Sequence, residues 1–543
     1  MGTRKYRAAT LASSLVLGLL LGGATSAGAA DLVTLTTTLE GSGQDIMTSS
    51  VRGYEAYWDE VFDWAIEQDP ATGALKPGLA TKWTVSDDGL TWTFDIRDGV
   101  KFHDGSTLNG GDVAWSWSRL IFDPKSTSAL TDLKEIISGI TADGNVVTVK
   151  TKVPLAELPF TFARPSGGQG AIQSKEYFDK VGPEVASQTP IGTGPYKFVS
   201  LNGTQSVELE AFTDPGRSDW QKEKTPAFDH LTIQAVPEPA TRIAMLQAGE
   251  ADVVQLPISA VQEAKDSGFN VVTSDSGTFS DMLCVGVALN PKSACNDVRV
   301  RQALNLGINR QGIADAVYGG LAKPSNAFFA GPGTFGNPTD LAPYPFDPDK
   351  AKQLLADAGY TNANPLKVEI DVYDDDGDFP DMPTMAEAIA GDYNKIGIQT
   401  NIVPSDWGAQ ELKLEQGTLP GQANNPNVTP VTLWMRGIDN RYDMIAEQVQ
   451  SYTNGGPKGK AAWSETNLPD MKAKLLAVQA EFDPAKREAG FADYNRWMAQ
   501  NYYQIPLLAG DSVFALSDKV ASWDGRVVGR AYIHNQWSMK PAQ

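Results

Sequence analysis

The side chains that could do chemistry in this chain are many but do not converge. Its three histidines, His103, His230 and His534, lie far apart, and neither Cys284 nor Cys295 has a histidine or a second thiol at a zinc-ligand spacing. The stretches SGGQG and GTGPY are rich in glycine but lack the lysine and hydroxyl residue of a phosphate-binding loop, and no Gly-x-Ser-x-Gly nucleophile turn occurs. The 66 carboxylates include no pair that the sequence sets against a positioned partner. The expectation is a protein that binds rather than transforms, with no catalytic residue, no metal and no cofactor.

Charge and the amino-terminal segment narrow the class. The formal charge of −21 leaves no basic face for nucleic acid. Arg4, Lys5 and Arg7 precede an apolar run from about Ala8 to Gly23 that is short for a membrane span, and Ala27 and Ala29 form an Ala-x-Ala pattern. Residues 1–30 therefore read as a signal peptide cleaved before Ala30 or Asp31. No cysteine follows the run to carry a lipid, so the mature chain is expected free in a periplasm, monomeric and not inserted in the membrane. In an exported chain, Cys284 and Cys295 are candidates for a disulfide closing a short loop; two buried thiols are the alternative.

The elements that must position any site alternate between helical and strand periods, which indicates an α/β protein, and 543 residues predict more than one domain. Trp58, Val61, Phe62 and Ala65 have the spacing of one helical stripe. Trp92, Phe94 and Ile96 alternate with polar residues as a half-buried strand, turned at Asp98-Gly99 toward a partner strand carrying Val100 and Phe102. Asp104-Gly105 precedes a helix with Val113, Trp117, Leu120 and Ile121 on one side. Asp297 is a candidate cap for a helix running toward Asn309, and Asp347 or Asp349 for one bearing Ala351, Leu354, Leu355 and Ala358 and stopped by Gly359. A loop rich in Pro, Gly and Asn lies between these two helices, from Pro324 to Pro348.

Six blocks in order resemble the extracellular solute-binding proteins of family 5, which serve peptide, nickel and related ABC importers. They are LKPGLATKWTVSDDGLTWTFDIRDGVKFHDGSTL from Leu75 with NGGDVAWSWSRL after it, PIGTGPYKFVS from Pro190, RIAMLQAGEADVV from Arg242, NDVRVRQALNLGINRQGIADAVYGGLAKP from Asn296, YPFDPDKAKQLLADAGY from Tyr344, and EFDPAKREAGFADYNRWMAQNYYQIPLL from Glu481. The resemblance implies a two-lobed periplasmic-binding-protein clamshell, type II, with an extra subdomain inserted in lobe I. Lobe I would comprise 31–65, 188–288 and 508–543, the insert 66–187 and lobe II 289–507, with crossings near Ala288 and Leu507. The GLATKW and IGTGPY motifs read as scaffold, their Gly and Pro residues setting turns while Trp83 and Tyr196 fill apolar space.

By the same resemblance, Trp407 in VPSDWGAQ and Trp434 in TLWMRGIDN stand where relatives have pocket-lining aromatics, and a tryptophan in a polar loop is hard to bury completely. Where peptide-binding relatives carry an aspartate for the peptide ammonium, this chain has Gly437, with Arg436 before it and Asp439 after it. Either Asp439 takes the role or the anchor is missing. Tyr373 opens an acid run, Asp374, Asp375, Asp376, Asp378 and Asp381, where relatives place cationic groups. The run is either a solvated loop or, if Asp375 and its neighbours face the cleft, a preference for cationic or hydroxyl-rich solutes. Arg52 and Tyr54 are placed like a ligand-touching loop.

The implied function is capture of a small solute, peptide-like or sugar-like, and its delivery to ABC importer permease subunits. The rival ligands are an oligosaccharide, an opine-like compound or another hydroxyl-rich or cationic solute. The rival classes are a secreted hydrolase and a chaperone for extended chains. Intact-mass analysis of the exported, non-reduced protein is expected to show a chain starting at Ala30 or Asp31 with no free thiol; two alkylatable thiols would remove the disulfide.

Overall fold

The computed structural model describes residues 31–37, 39, 55–69, 74–126, 129–164, 170–273, 278–285, 293–327, 335–373, 379, 381–405, 430–438, 445, 448, 469–523 and 535–542. Strand β1 (Asp31–Thr36) and the helix Glu55–Val61 come first, followed by a ribbon of β2 (Ile66–Gln68) and β3 (Leu75–Pro77). Strands β4 (Ala80–Val85), β5 (Thr91–Ile96), β6 (Ile137–Asp143) and β7 (Val146–Thr151) form an antiparallel sheet in the order β4-β5-β7-β6. The chain then makes β8 (Tyr196–Asn202), β9 (Ser206–Ala211), β10 (His230–Ala235), β11 (Val253–Leu256) and β12 (Asn270–Thr273). A second large sheet takes β13 (Thr278–Val285), β14 (Ala322–Pro324), β15 (Lys367–Tyr373), β16 (Gln399–Ser405), β17 (Pro430–Ile438) and β18 (Ile505–Gly510). Strand β19 (Val513–Leu516) returns to the first sheet, and β20 (Val520–Trp523) pairs with β21 (Met539–Pro541). Among the described residues the first sheet runs β12-β19-β11-β1-β10-β9-β8 and the second β14-β18-β13-β17-β15-β16.

Sheet membership moves both expected crossings. Strand β13 belongs with the second sheet, so the chain leaves the first sheet between Thr273 and Thr278, before Ala288; β18 runs past Leu507 to Gly510. Local signals explain most elements. Asn109 caps the helix Gly110–Phe122 through a capping box with Asp112, and Asp297 and Asp347 cap Val298–Leu306 and Pro348–Asp357. Val100 and Phe102 do not form the expected partner strand, because both edges of β5 are taken by β4 and β7. Only an isolated Lys101–Thr107 bridge follows the turn. Cys284 in β13 is disulfide-bonded to Cys295, with 6.3 Å between Cα atoms.

The four-stranded sheet packs on the first sheet, since one apolar cluster runs from Leu32 and Leu231 through Trp58 and Trp64 to Phe94, Trp117 and Phe162. Gly192 and Gly194 of IGTGPY let the chain run against the end of the helix Glu55–Val61: a Cβ would lie 2.0 Å from Val61 O and 2.5 Å from Glu60 O, respectively. Gly78 of GLATKW lies as tightly on Trp64 O, at 2.6 Å. The inserted subdomain also touches the second lobe. There the Gln479 amide donates to the buried Glu157 carboxylate, Ala156 N–H donates to Gln479 O at 3.1 Å, and the ring of Phe482 packs on Gly89 and Trp92.

Two buried titratable groups sit behind these glycines. Glu60 accepts backbone N–H bonds from Gln536 (2.6 Å) and Trp537 (3.2 Å), yet burial pushes its pKa from 4.5 up to about 7. His103 donates through Nε2 to Gly194 O at 3.0 Å and accepts from Gly192 N–H at 3.4 Å, and burial takes it from 6.5 down to about 4. Between pH 4.5 and 7 the native state holds the Glu60 proton and the unfolded chain does not, so stability falls as pH rises. Between pH 4 and 6.5 the unfolded chain holds the His103 proton and the native state does not, so stability rises with pH. Each effect is on the order of 3 kcal/mol, and they oppose across the shared window. Urea midpoints of Glu60→Gln are expected to rise with pH across that window and those of His103→Gln to fall; profiles parallel to the unsubstituted protein would refute the assignment.

Candidate functional site

The register places the ends of both large sheets in one region. In the first, Val513 opens β19 opposite both Leu256 and Thr273, the last residues of β11 and β12, and parallel β1 and β10 end on the same side at Thr36 and Ala235. In the second, Thr278 lies opposite Gly510, Phe279 opposite Ile438, and Tyr373 beside Ser405. Both crossovers therefore join the carboxyl edge of one sheet to the carboxyl edge of the other. Loops that leave the carboxyl ends of parallel strands are where open α/β sheets build ligand sites.

Most of the expected contacts follow these strand ends in the sequence. Residues 40–54, with Arg52 and Tyr54, follow β1; Asp375 follows β15; Trp407 follows β16; Asp439 follows β17. Those five residues lie outside the described residues, as do Asp374, Asp376 and Asp378 and the side chain of Tyr373, whose backbone ends β15 beside Ser405.

The remaining three are inside β17. Trp434 is a strand residue, not a loop residue, and is only 1% exposed: its polar neighbours alternate along the strand instead of surrounding it in a loop. The Arg436 guanidinium carbon lies 4.9 Å from the Trp434 ring centroid, and Arg436 Nε donates to Asp281 Oδ1 of β13 at 3.1 Å, directly across the ladder. Gly437 is buried opposite Ser280, whose hydroxyl faces Met385 on the helix Met382–Lys395. One strand over, the buried Asp371 carboxylate accepts from Ser405 Oγ at 2.7 Å. Asp381, the last acid of the run, precedes the helix Met382–Lys395 with a positive φ of 56°. Asp281 and Asp371 carried no signal in the sequence, because isolated acids in apolar strands show burial but not a partner.

Among the described residues no group of His, Cys, Asp and Glu is arranged to hold a metal, and no helix is long and apolar enough to cross a membrane. His103 is committed to the Gly192–Gly194 backbone, and His230 opens β10 at the end opposite the crossovers.

Residues 74–448 match the family described as "Bacterial extracellular solute-binding proteins, family 5 Middle". The chain is 32% identical to heme-binding protein A of Haemophilus influenzae over 507 residues, 83% of this chain and 86% of that protein. It is 31% identical to the dipeptide-binding protein of Escherichia coli over 436 residues, 74% and 77% of the two chains. Its fold is similar to that of an ABC transporter-associated periplasmic binding protein from Helicobacter pylori solved with the peptide STSA. There the TM-score is 0.76 at 21% identity, over 94% of this chain and 98% of the other.

The Asp281–Arg436 pair is buried on both sides, so removing one partner strands a charge. Arg436→Met is expected to cost about 3–5 kcal/mol in urea unfolding, and adding Asp281→Leu to restore most of it. An unchanged midpoint in the single variant would show that the pair is hydrated.

Proposed function

We propose that this chain, which belongs to the bacterial extracellular solute-binding proteins of family 5, captures a peptide or peptide-like solute between its two lobes and hands it to the permease of an ABC importer. The observation that carries this reading is the pair of crossovers joining carboxyl edge to carboxyl edge, so that the chain passes between the two sheets at the strand ends where open α/β sheets bind ligands. Two lobes whose chain crosses between them by short connections on one side can close by hinge motion without unfolding either. A solute touching both then stabilises the closed form that the permease recognises. The lobes consist of 31–65, 188–273 and 513–542 for the first, 66–187 for its inserted subdomain, and 278–510 for the second. The protein acts without catalysis, as a monomer in the periplasm, after loss of residues 1–30 and without a lipid anchor.

Trp407 and Trp434 supply apolar wall, and Asp439 receives the peptide ammonium, because Gly437 has no side chain to do so. Tyr373, Asp375, Arg52 and Tyr54 complete the rim. A second reading, a cationic or hydroxyl-rich solute such as an amino sugar or oligosaccharide, is favoured by the pairing of Arg436 with Asp281: that guanidinium is already neutralised, while Asp371 and Asp381 add negative charge to the same region. The dipeptide-binding relative supports the first reading; the heme-binding relative adds haem as a compound to be tested.

Native mass spectrometry of the purified protein followed by calorimetry separates these. Dialanine or tri-alanine is expected to bind one to one and to be recovered intact after incubation; cleavage would point to a hydrolase. Asp439→Asn is expected to weaken peptide binding at least about tenfold, and Trp434→Ala to weaken it by about 1–3 kcal/mol. Binding of cellobiose, glucosamine or haem in place of both peptides would reject the peptide reading.

A further inference from the structure

Three side-chain oxygens at one end of the first sheet have no hydrogen-bond partner among the described residues. They are Thr36 Oγ1, Thr37 Oγ1 and Gln255 Oε1, and each atom is sealed from solvent in this structure. Thr36 ends β1 and Gln255 is the last residue but one of β11. The parallel register, Thr34 with Val253 and Leu35 with Val254, continues to set Thr36 beside Gln255. Adjacent strands lie about 4.8 Å apart, so these two side chains share a face of the sheet, and Thr37 follows at the point where β1 enters its loop.

The backbones at these positions are pinned. Val236 N–H donates to Thr36 O at 2.9 Å, Arg242 Nε donates to Gln255 O at 2.9 Å, and Gln255 is paired with Phe514 in β19. The side-chain oxygens are thus held in place by a fully bonded main chain while making no bond themselves. Comparable groups elsewhere in the sheet are satisfied. Thr34 Oγ1 donates to Gln536 Oε1 at 2.8 Å, and Thr232 Oγ1 to Glu208 Oε2 at 2.6 Å. What distinguishes the trio is its location at the carboxyl edge, beside Leu256 and the entry to β19, where the crossovers run to the other lobe. Buried oxygens are almost always bonded, and unbonded ones commonly mark a place for a missing water or ligand.

We propose that Thr36, Thr37 and Gln255 form the first lobe's solute subsite, built to receive N–H or O–H groups. Gln255 Oε1 can only accept, and the two hydroxyls can accept or donate, so the subsite selects a donor-bearing segment of the solute: an ammonium, an amide N–H or a sugar hydroxyl. It disfavours a bare aromatic face, which offers Gln255 Oε1 no donor. The proposal rests on the solute-capture reading above and adds which lobe reads the donors and with which atoms.

The test uses near-isosteric apolar replacements, Thr36→Val, Thr37→Val and Gln255→Met, in the full mature protein freed of co-purified solute. Melting temperature without solute and calorimetric affinity for dialanine, tri-alanine, glucosamine and cellobiose are measured on each. Because the removed oxygens make no bond in the fold, the solute-free melting temperature is expected to stay level or rise. Affinity for whichever probe binds the unsubstituted protein is expected to fall at least tenfold in Thr36→Val and Gln255→Met. Unchanged affinity overturns the subsite and leaves solute capture standing. A lower melting temperature, with or without weaker binding, assigns the oxygens to a structural water and likewise overturns it. An unsubstituted protein that binds none of the four probes overturns both readings.

Discussion

Between Thr273 and Thr278, and again between Gly510 and Val513, the chain passes from one sheet to the other, and both passages leave and enter at carboxyl edges. The rest of the architecture follows from this pairing of edges. The strand ends that carry the loops are brought together, the lobes are left tied on one side, and the helix-covered sheet faces are reserved for packing. Hydrophobic burial then divides accordingly. One cluster welds the inserted subdomain to the first sheet, while the other fills the second lobe and the opposite face of the first sheet. The contact of Glu157 and Gln479 adds a further link between the inserted subdomain and the second lobe, with a carboxylate that is buried there.

The framework blocks are scaffold for a reason visible at atomic scale. Gly78, Gly192 and Gly194 each sit where a Cβ would strike a backbone carbonyl, and the carbonyls belong to the short segment from Glu60 to Ala65. Two separate stretches of sequence thus converge on the end of one helix and the residues just after it. Strong electrostatic perturbations of that neighbourhood, at Glu60 and His103, arise because the convergence excludes water. Neighbouring charges are paired instead: Asp63 binds Lys224 at 2.8 Å and Asp59 binds Arg164 at 3.2 Å.

Local chemistry made much of this legible beforehand. Asp297 and Asp347 announce helix starts because a capping side chain acts within three residues, and the alternation of Trp92, Phe94 and Ile96 marks a strand whichever sheet it joins. Long-range choices were not legible. The stretch from Thr278 to Val285 carries no mark of its partners, so the sheet it joins is visible only in the fold. Trp434 looked like a loop residue because Arg436 and Asp439 flank it, whereas Asp281, far away in sequence, is what allows Arg436 to be buried beside it. Thr36 and Gln255 belong to unremarkable strands, and only the absence of partners in three dimensions singles them out.

The position of β1 has a consequence for how the protein comes into being. This strand lies between β10 and β11, with β19 next beyond β11, so the first sheet combines the earliest described strand with one near the carboxyl end of the chain. A ribosome delivers those strands hundreds of residues apart, and contacts so distant in sequence form slowly. The second lobe, continuous from β13 to β18, can assemble from one stretch as it emerges, whereas the first must wait for the final turn of synthesis. Until then the first sheet is incomplete, and the edges of β11 and β12 that receive β19 stay open.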